Sequence, residues 1–288
     1  MIYLILSILF STSILVWFKF IEKRGHNILI AIIVNYVIAV IAGLLMNYNK
    51  IDYEAIEIVS WWYFAIIMGV LFIINFIVMG ISIKKAGISA TSVATKMSVI
   101  IPIIFSIVFY SESLGLIKLF GIIIALLAVF LSVVKKTDNK KFNIKYSLFP
   151  VYLFLGSGII DSLIKYNQAS HINENNISIF SASIFGVSAI SGIVFLLFRF
   201  KKYKEQINPG VLFSGSVLGL LNFGALYSII NALENNKIAS SSVFLINSVS
   251  IVSLSVLIAV LFFREKPGIM NWIGIALSII AIFILTNS

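Results

Sequence analysis

The sequence predicts an all-α polytopic membrane protein, with ten transmembrane helices in two inverted five-helix repeats. Three observations lead there: the composition, the spacing of the apolar segments, and an internal repeat whose flanking charges change sign. Of 288 residues, 60% are hydrophobic and only 11% charged, with a mean hydropathy of +1.10. Such a chain is too apolar for an ordinary soluble domain. Crossing about 30 Å of hydrocarbon takes about 20 mostly apolar residues. Ten such segments are legible, near 2–20, 28–46, 60–81, 89–110, 115–134, 147–167, 176–198, 210–231, 238–262 and 268–286. They consume most of the chain and leave no room for a soluble catalytic domain.

The N-terminus goes directly from Met1-Ile2-Tyr3 into a long apolar run, with no basic leader and no small-residue cleavage site, and the first span is expected to be retained. Lys19 lies near its end, with Lys23 and Arg24 beyond it. The second span carries Asn35, a candidate gating residue, and the third carries Asn75 followed by Phe76.

The fourth span holds the sharpest anomaly, Ser89-Ala90-Thr91-Ser92-Val93-Ala94-Thr95-Lys96-Met97-Ser98-Val99-Ile100-Ile101-Pro102. Holding an ammonium at membrane depth costs on the order of 3 kcal/mol, so Lys96 is expected to face a bundle interior or an aqueous cavity. At helical spacing it shares a face with Ser89, Ser92 and Val99. It could bind a substrate carboxylate or phosphate, or release a proton; the structural alternative is snorkelling or a fixed ion pair. Pro102 lies six residues on, where it is expected to free a carbonyl and kink the helix.

After the fifth span, the longest link (135–146) carries Lys135, Lys136, Asp138, Lys140, Lys141 and Lys145. It divides the chain into 1–134 and 147–288. The sixth span contains Asp161, with Gly158, Lys165 and Gln168 on the same face. Asp161 is a candidate counter-charge to Lys96 or a protonatable coupling group. It could equally pair with Lys165 one turn on. Asn222-Phe223 in the eighth span mirrors Asn75-Phe76, and Asn247 in the ninth aligns with Met97. Carboxamides supply donors and acceptors without net charge, which suits zwitterionic or hydroxylated ligands; interhelical hydrogen bonding is the structural alternative. Glu112 and Glu265 precede the fifth and tenth spans, where a carboxylate is expected to satisfy helix-start amides. Pro150, Pro209 and Pro267 are read as helix-start prolines, and Trp17, Trp61, Trp62 and Trp272 as interface anchors.

The two halves repeat. Val70-Leu71…Asn75-Phe76 matches Val217-Leu218…Asn222-Phe223, and Ile88, Ser92, Val93, Ser98, Val99, Ile101 match Ile238, Ser242, Val243, Ser248, Val249, Ile251. Phe109, Glu112, Gly115, Gly121, Ile122, Ala128, Phe130 match Phe262, Glu265, Gly268, Gly274, Ile275, Ala281, Phe283. The order is common to all, at nearly constant separation. An odd number of spans per repeat forces opposite orientations. Loop charges agree: the odd-numbered links hold fifteen Lys or Arg and the even-numbered ones three, Lys50, Lys118 and Lys237. This places odd links in the cytoplasm and both termini outside. The net charge of +10 is therefore read as membrane topology, not as nucleic-acid binding.

The stretches Phe109-Tyr110-Ser111-Glu112-Ser113-Leu114-Gly115…Gly121 and Phe262-Phe263-Arg264-Glu265-Lys266-Pro267-Gly268…Gly274 resemble the Gly-Glu link of the drug/metabolite transporter superfamily, in its ten-helix family of two EamA-type repeats. The glycine usual before the glutamate is Ser111 and Arg264 here. The similarity runs over nearly the whole chain. It implies a basket of ten helices whose central cavity is lined by spans one, three, four, six, eight and nine, and export or uptake of amino acids, nucleosides, nucleotide sugars or other metabolites. The usual picture of such exporters puts both termini in the cytoplasm, whereas the charge count here puts them outside.

Catalytic patterns are missing. With no cysteine there is no thiol nucleophile or thiolate metal site, and the two histidines, His26 and His171, fall in links. There is no H-E-x-x-H, no G-x-S-x-G and no phosphate-binding glycine loop. The expectation is a secondary transporter, not an enzyme, moving amino acids or related small polar metabolites by alternating access with proton coupling or exchange. Lys96, Asn75, Asn222, Asn247 and Ser92 are the expected substrate ligands, with Asp161 and Lys96 for coupling, and no metal or cofactor. Its partners would be a small-molecule substrate and the lipids of a bacterial inner or plasma membrane, with monomer and homodimer both open. The alternative is a flippase or scramblase for lipid-linked substrates.

Overall fold

The computed structural model describes residues 1–46, 61–102, 104, 115–133, 144–171, 177–198, 206–234 and 240–286. Among them are ten helices: α1 (Ile2–Lys23), α2 (Ile28–Met46), α3 (Trp62–Ala86), α4 (Ile88–Met97), α5 (Leu116–Val133), α6 (Ile144–Ser170), α7 (Ile177–Phe198), α8 (Pro209–Glu234), α9 (Ser240–Leu261) and α10 (Ile269–Thr286). Six of them, α1, α2, α3, α6, α7 and α8, are long and apolar enough to cross a membrane, and α4, α5, α9 and α10 supply shorter apolar stretches. The chain is a multi-pass membrane protein. Glu112, the basic run 135–141, the acidic run 52–57 and the basic run 199–204 lie outside the described residues.

Local chemistry sets several boundaries. Gly25 ends α1 in the left-handed region (φ +68), and His26 N then donates to Ile21 O at 3.1 Å, closing the helix with its own carbonyls. Asn27 caps α2 by accepting from Ile30 N at 3.2 Å. Asn208 does the same for α8, accepting from Val211 N at 3.0 Å, with Pro209 in the first helical position, where its missing N–H costs nothing. Pro150 departs from the helix-start reading. The basic link ends earlier than 146, α6 begins at Ile144, and Pro150 lies inside the helix.

The chain forms two compact bodies, residues Met1–Ile77 with Leu163–Asn235, and Val78–Ser162 with Asn236–Ser288. Neither coincides with a half of the sequence.

In the first body, α2 packs on α7 and α8, and α8 on α1. Gly215 and Gly219, four apart on α8, allow the approach: a Cβ on Gly219 would lie 2.5 Å from Asn35 O, and one on Gly215 2.7 Å from Ala31 O. Small residues at this spacing let membrane helices pack backbone to backbone. Ser188 Oγ of α7 donates to Gly69 O of α3 at 2.8 Å. The core is aromatic, with Tyr36 against Phe76 at 5.6 Å and Phe185 at 6.0 Å. Two tryptophans pack inward: Trp17 donates to Ser214 O at 2.9 Å, and Trp61 is buried edge-on to Phe180. Trp62 and Trp272 are exposed, as interface anchors require.

In the second body, α5 packs on α10, while α4 contacts α5, α9 and α10. Gly158 of α6 receives Ile101, whose Cβ would stand 2.7 Å from a Cβ at that position. Ser82 of α3 meets Thr91 of α4, Oγ to Oγ1, at 2.8 Å.

Candidate functional site

The second body contains the arrangement richest in chemistry, built on α4. Three of its hydroxyls are spent along its own backbone: Thr91 donates to Gly87 O at 2.7 Å, Ser92 to Ser89 O at 3.0 Å and Thr95 to Thr91 O at 2.8 Å. Every residue from Ile88 to Met97 is buried except Lys96, which keeps part of its surface accessible. It is the one residue of α4 that meets an accessible space.

The start of α4 is held from a distance. Gly87 enters at φ +93, and the Glu265 carboxylate accepts from Ile88 N at 2.8 Å, Ser89 N at 3.4 Å and Ser89 Oγ at 3.1 Å. The sequence reading paired Glu265 with the helix that follows it. The carboxylate does satisfy helix-start amides, but those of α4; α10 is instead opened by Asn271 Oδ1, which accepts from Gly268 N at 2.9 Å.

The end of α4 is set by Pro102. A proline has no N–H for the carbonyl four residues back, and its ring crowds that carbonyl. That carbonyl belongs to Ser98, which accepts from Ile101 N at 2.9 Å instead. The regular helix stops at Met97 and resumes at Ile100. Lys96 thus sits in the last turn of a ten-residue helix, where terminal carbonyls favour a cation by about 0.3–1 kcal/mol.

Asp161 of α6 is also half-buried. Ser98 Oγ lies 3.3 Å from Asp161 Oδ2 and 2.6 Å from Thr95 O. Lys96 and Asp161 act on each other electrostatically. The structure therefore brings the two predicted charged residues into one body. Asn247 of α9, which packs on α4, is 5% exposed, and its Oδ1 has no hydrogen-bond partner among the described residues.

The other predicted residues lie in the first body. Asn75 (9% exposed) and Asn222 (3%) are buried on α3 and α8, and Asn222 Nδ2 lacks a hydrogen-bond partner among the described residues. Asn35 is fully buried against α8 and donates to Ile32 O at 3.4 Å. In the last turns of α1, Lys19 pairs with Glu22 at 2.7 Å. Ser98 was missed as a site residue. Its signal was its place four residues before Pro102.

Residues 166–287 match the EamA-like transporter family. It is a transporter family of the drug/metabolite transporter superfamily, and not a family of enzymes. The EamA-like stretch runs from the end of α6 to α10, and so includes Asn222, Asn247 and Glu265. An uncharacterized protein of Haemophilus influenzae (strain ATCC 51907 / DSM 11121 / KW20 / Rd) is 28% identical over 291 residues, 98% of this chain and 96% of its own. A crystal structure of a protein, 14% identical, superimposes with a TM-score of 0.62 over 98% of this chain and 96% of that one, and shares the fold.

Proposed function

We propose that the chain is a secondary active transporter of small polar metabolites, amino acids or related zwitterions, working by alternating access with proton coupling or exchange. The observation that carries this reading is the placement of Lys96 and Asp161, opposite charges in one body, each half-buried, beside the break in α4. Charges at membrane depth are costly and are retained where they handle a substrate or an ion. A zwitterion fits the pair: its carboxylate on Lys96 at the end of α4, its ammonium on Asp161 and on the unpartnered Asn247 Oδ1. Ser92 is fully buried and keeps its hydroxyl proton inside α4, so its lone pairs reach a ligand only when α4 moves. In the first body, Asn75 and Asn222 are the proposed ligand groups.

The inverted repeat is part of this reading. It is supported by the packing of sequence-equivalent helices on one another, α2 on α7, α4 on α9 and α5 on α10. The charge count supports placing both termini outside in a cell membrane.

Thermal unfolding of detergent-purified protein against amino acids, nucleosides, sugars and organic cations tests the proposal. A ligand of the folded state at 100 times its dissociation constant adds about 2.7 kcal/mol of apparent stability. The expected result is a zwitterionic hit that Lys96→Ala abolishes. A panel without hits, together with lipid flipping by the reconstituted protein, would replace this reading with lipid transport.

A further inference from the structure

We propose that Ser98 is a positioning residue that transmits the charge state of Asp161 to the last turn of α4, the turn that carries Lys96; this rests on the transporter reading above. A serine hydroxyl has one proton and two lone pairs. Ser98 Oγ lies 2.6 Å from Thr95 O and 3.3 Å from Asp161 Oδ2, and both of these oxygens can accept. The shorter bond takes the hydroxyl proton. Ser98 then turns a lone pair toward Asp161, and that contact is attractive only when Asp161 Oδ2 bears a proton and donates.

When Asp161 gives its proton to water, two lone pairs face each other. The hydroxyl relieves this by swinging its single proton to the carboxylate, a charge-assisted bond stronger than the neutral one it leaves. Thr95 O then loses its donor. In an unbroken helix Thr95 O would be served by Val99 N, but Val99 N is directed at Lys96 O, because Pro102 has opened the helix at this point. The last turn of α4 must rearrange, and Lys96 moves with it.

Among the described residues, Lys96 is the charged group that acts on Asp161. Of the other described charged side chains on or against α6, Lys165 is one turn along the same helix, and Lys85 of α3 lies over Phe149 at 5.0 Å, about three turns away. A change in the charge of Asp161 is therefore felt first at the α4 break.

The chain contains no cysteine, so one introduced thiol reports alone. In detergent-purified Ile101→Cys protein, at the residue that packs on Gly158 beyond the break, the rate of maleimide labelling is measured at about pH 5.5 and about pH 8. Each ratio is divided by that of the same thiol in Asp161→Asn protein, which removes the thiol's own titration. The normalised rate is expected to change several-fold with pH in the parent. Ser98→Ala is expected to flatten the change, and Ser98→Thr, which keeps the hydroxyl, to restore it.

A response undiminished in Ser98→Ala overturns the proposal, and so does a parent that responds no more than Asp161→Asn. If Ser98→Ala does not fold, infrared spectra of the parent and Asp161→Asn decide. A protonated carboxyl band that is present at low pH and absent from Asp161→Asn is expected, and its absence at every pH overturns the proposal. Ser98→Ala that still responds while Asp161→Asn alters substrate flux removes the relay and leaves the transporter reading standing. Flux indifferent to both Lys96→Ala and Asp161→Asn removes that reading.

Discussion

Glu265 Oε1 accepts the backbone N–H of Ile88 at 2.8 Å, across 177 residues of chain. The turn leaving α9 thereby holds the first turn of α4, and α4 in turn carries Lys96. A carboxylate here serves two purposes: it satisfies amides that have no partner within the helix, and it meets the positive end of the helix dipole. Glu265→Ala is expected to lower stability by about 1–2 kcal/mol, with Glu265→Gln in between. Thermal unfolding in detergent measures it. Equal stability in all three proteins would show that the cap does not contribute.

Arg264 has φ +53, a left-handed conformation that costs a residue with a Cβ about 1–2 kcal/mol. Glycine adopts it freely, at some cost in unfolded-state entropy. Arg264→Gly is therefore expected to stabilise the protein by about 0.5–1 kcal/mol. A lower melting temperature would mean that the arginine side chain makes a compensating contact.

This position also shows what a sequence can and cannot reveal. The similarity between the two Gly-Glu-type links was readable, and so was the departure from glycine at Arg264. The left-handed backbone at Arg264, and the target of the neighbouring carboxylate, were not. Local patterns announce a cap such as Asn208-Pro209, because donor and acceptor are three residues apart. Glu265 and Ile88 are joined only by the tertiary packing of α9, α10 and α4. The ten helices were legible because hydropathy at span length is a strong signal. The two bodies, which mix helices from both halves of the sequence, were not, because helix-to-helix packing leaves little trace in composition. Lys96 stood out as a charge among apolar residues, whereas Ser98 looked like any of the hydroxyls around it.

A Cβ at Gly219 would lie 2.5 Å from Asn35 O, a backbone atom that cannot swing aside. Gly219→Val is expected to force α8 away from α2 and to destabilise by about 1–3 kcal/mol or prevent folding. Gly186→Ala is the control, since among the described residues a Cβ there would come no nearer than 4.0 Å, to Val40 Cγ2. It should be tolerated, with helix propensity improved by up to about 1 kcal/mol. Similar expression and melting of both variants would contradict the glycine-tight α2–α8 contact.

Pro102 withholds an N–H from Ser98 O and opens α4 at that point. Pro102→Ala supplies the missing donor. Its thermal stability is expected not to fall, while its transport is expected to slow, because the break beside Lys96 is lost. Transport at the parent rate would show that the break is incidental.

The central claim is that Lys96 and Asp161 form the charge pair of a transport site. Its most direct measurement is uptake into proteoliposomes of the zwitterion found by thermal unfolding, with and without an imposed pH gradient, for the parent, Lys96→Ala and Asp161→Asn. The account predicts that Lys96→Ala loses flux, and that Asp161→Asn loses the response to the gradient while still binding ligand. Parent-like flux and gradient response in both variants would contradict it.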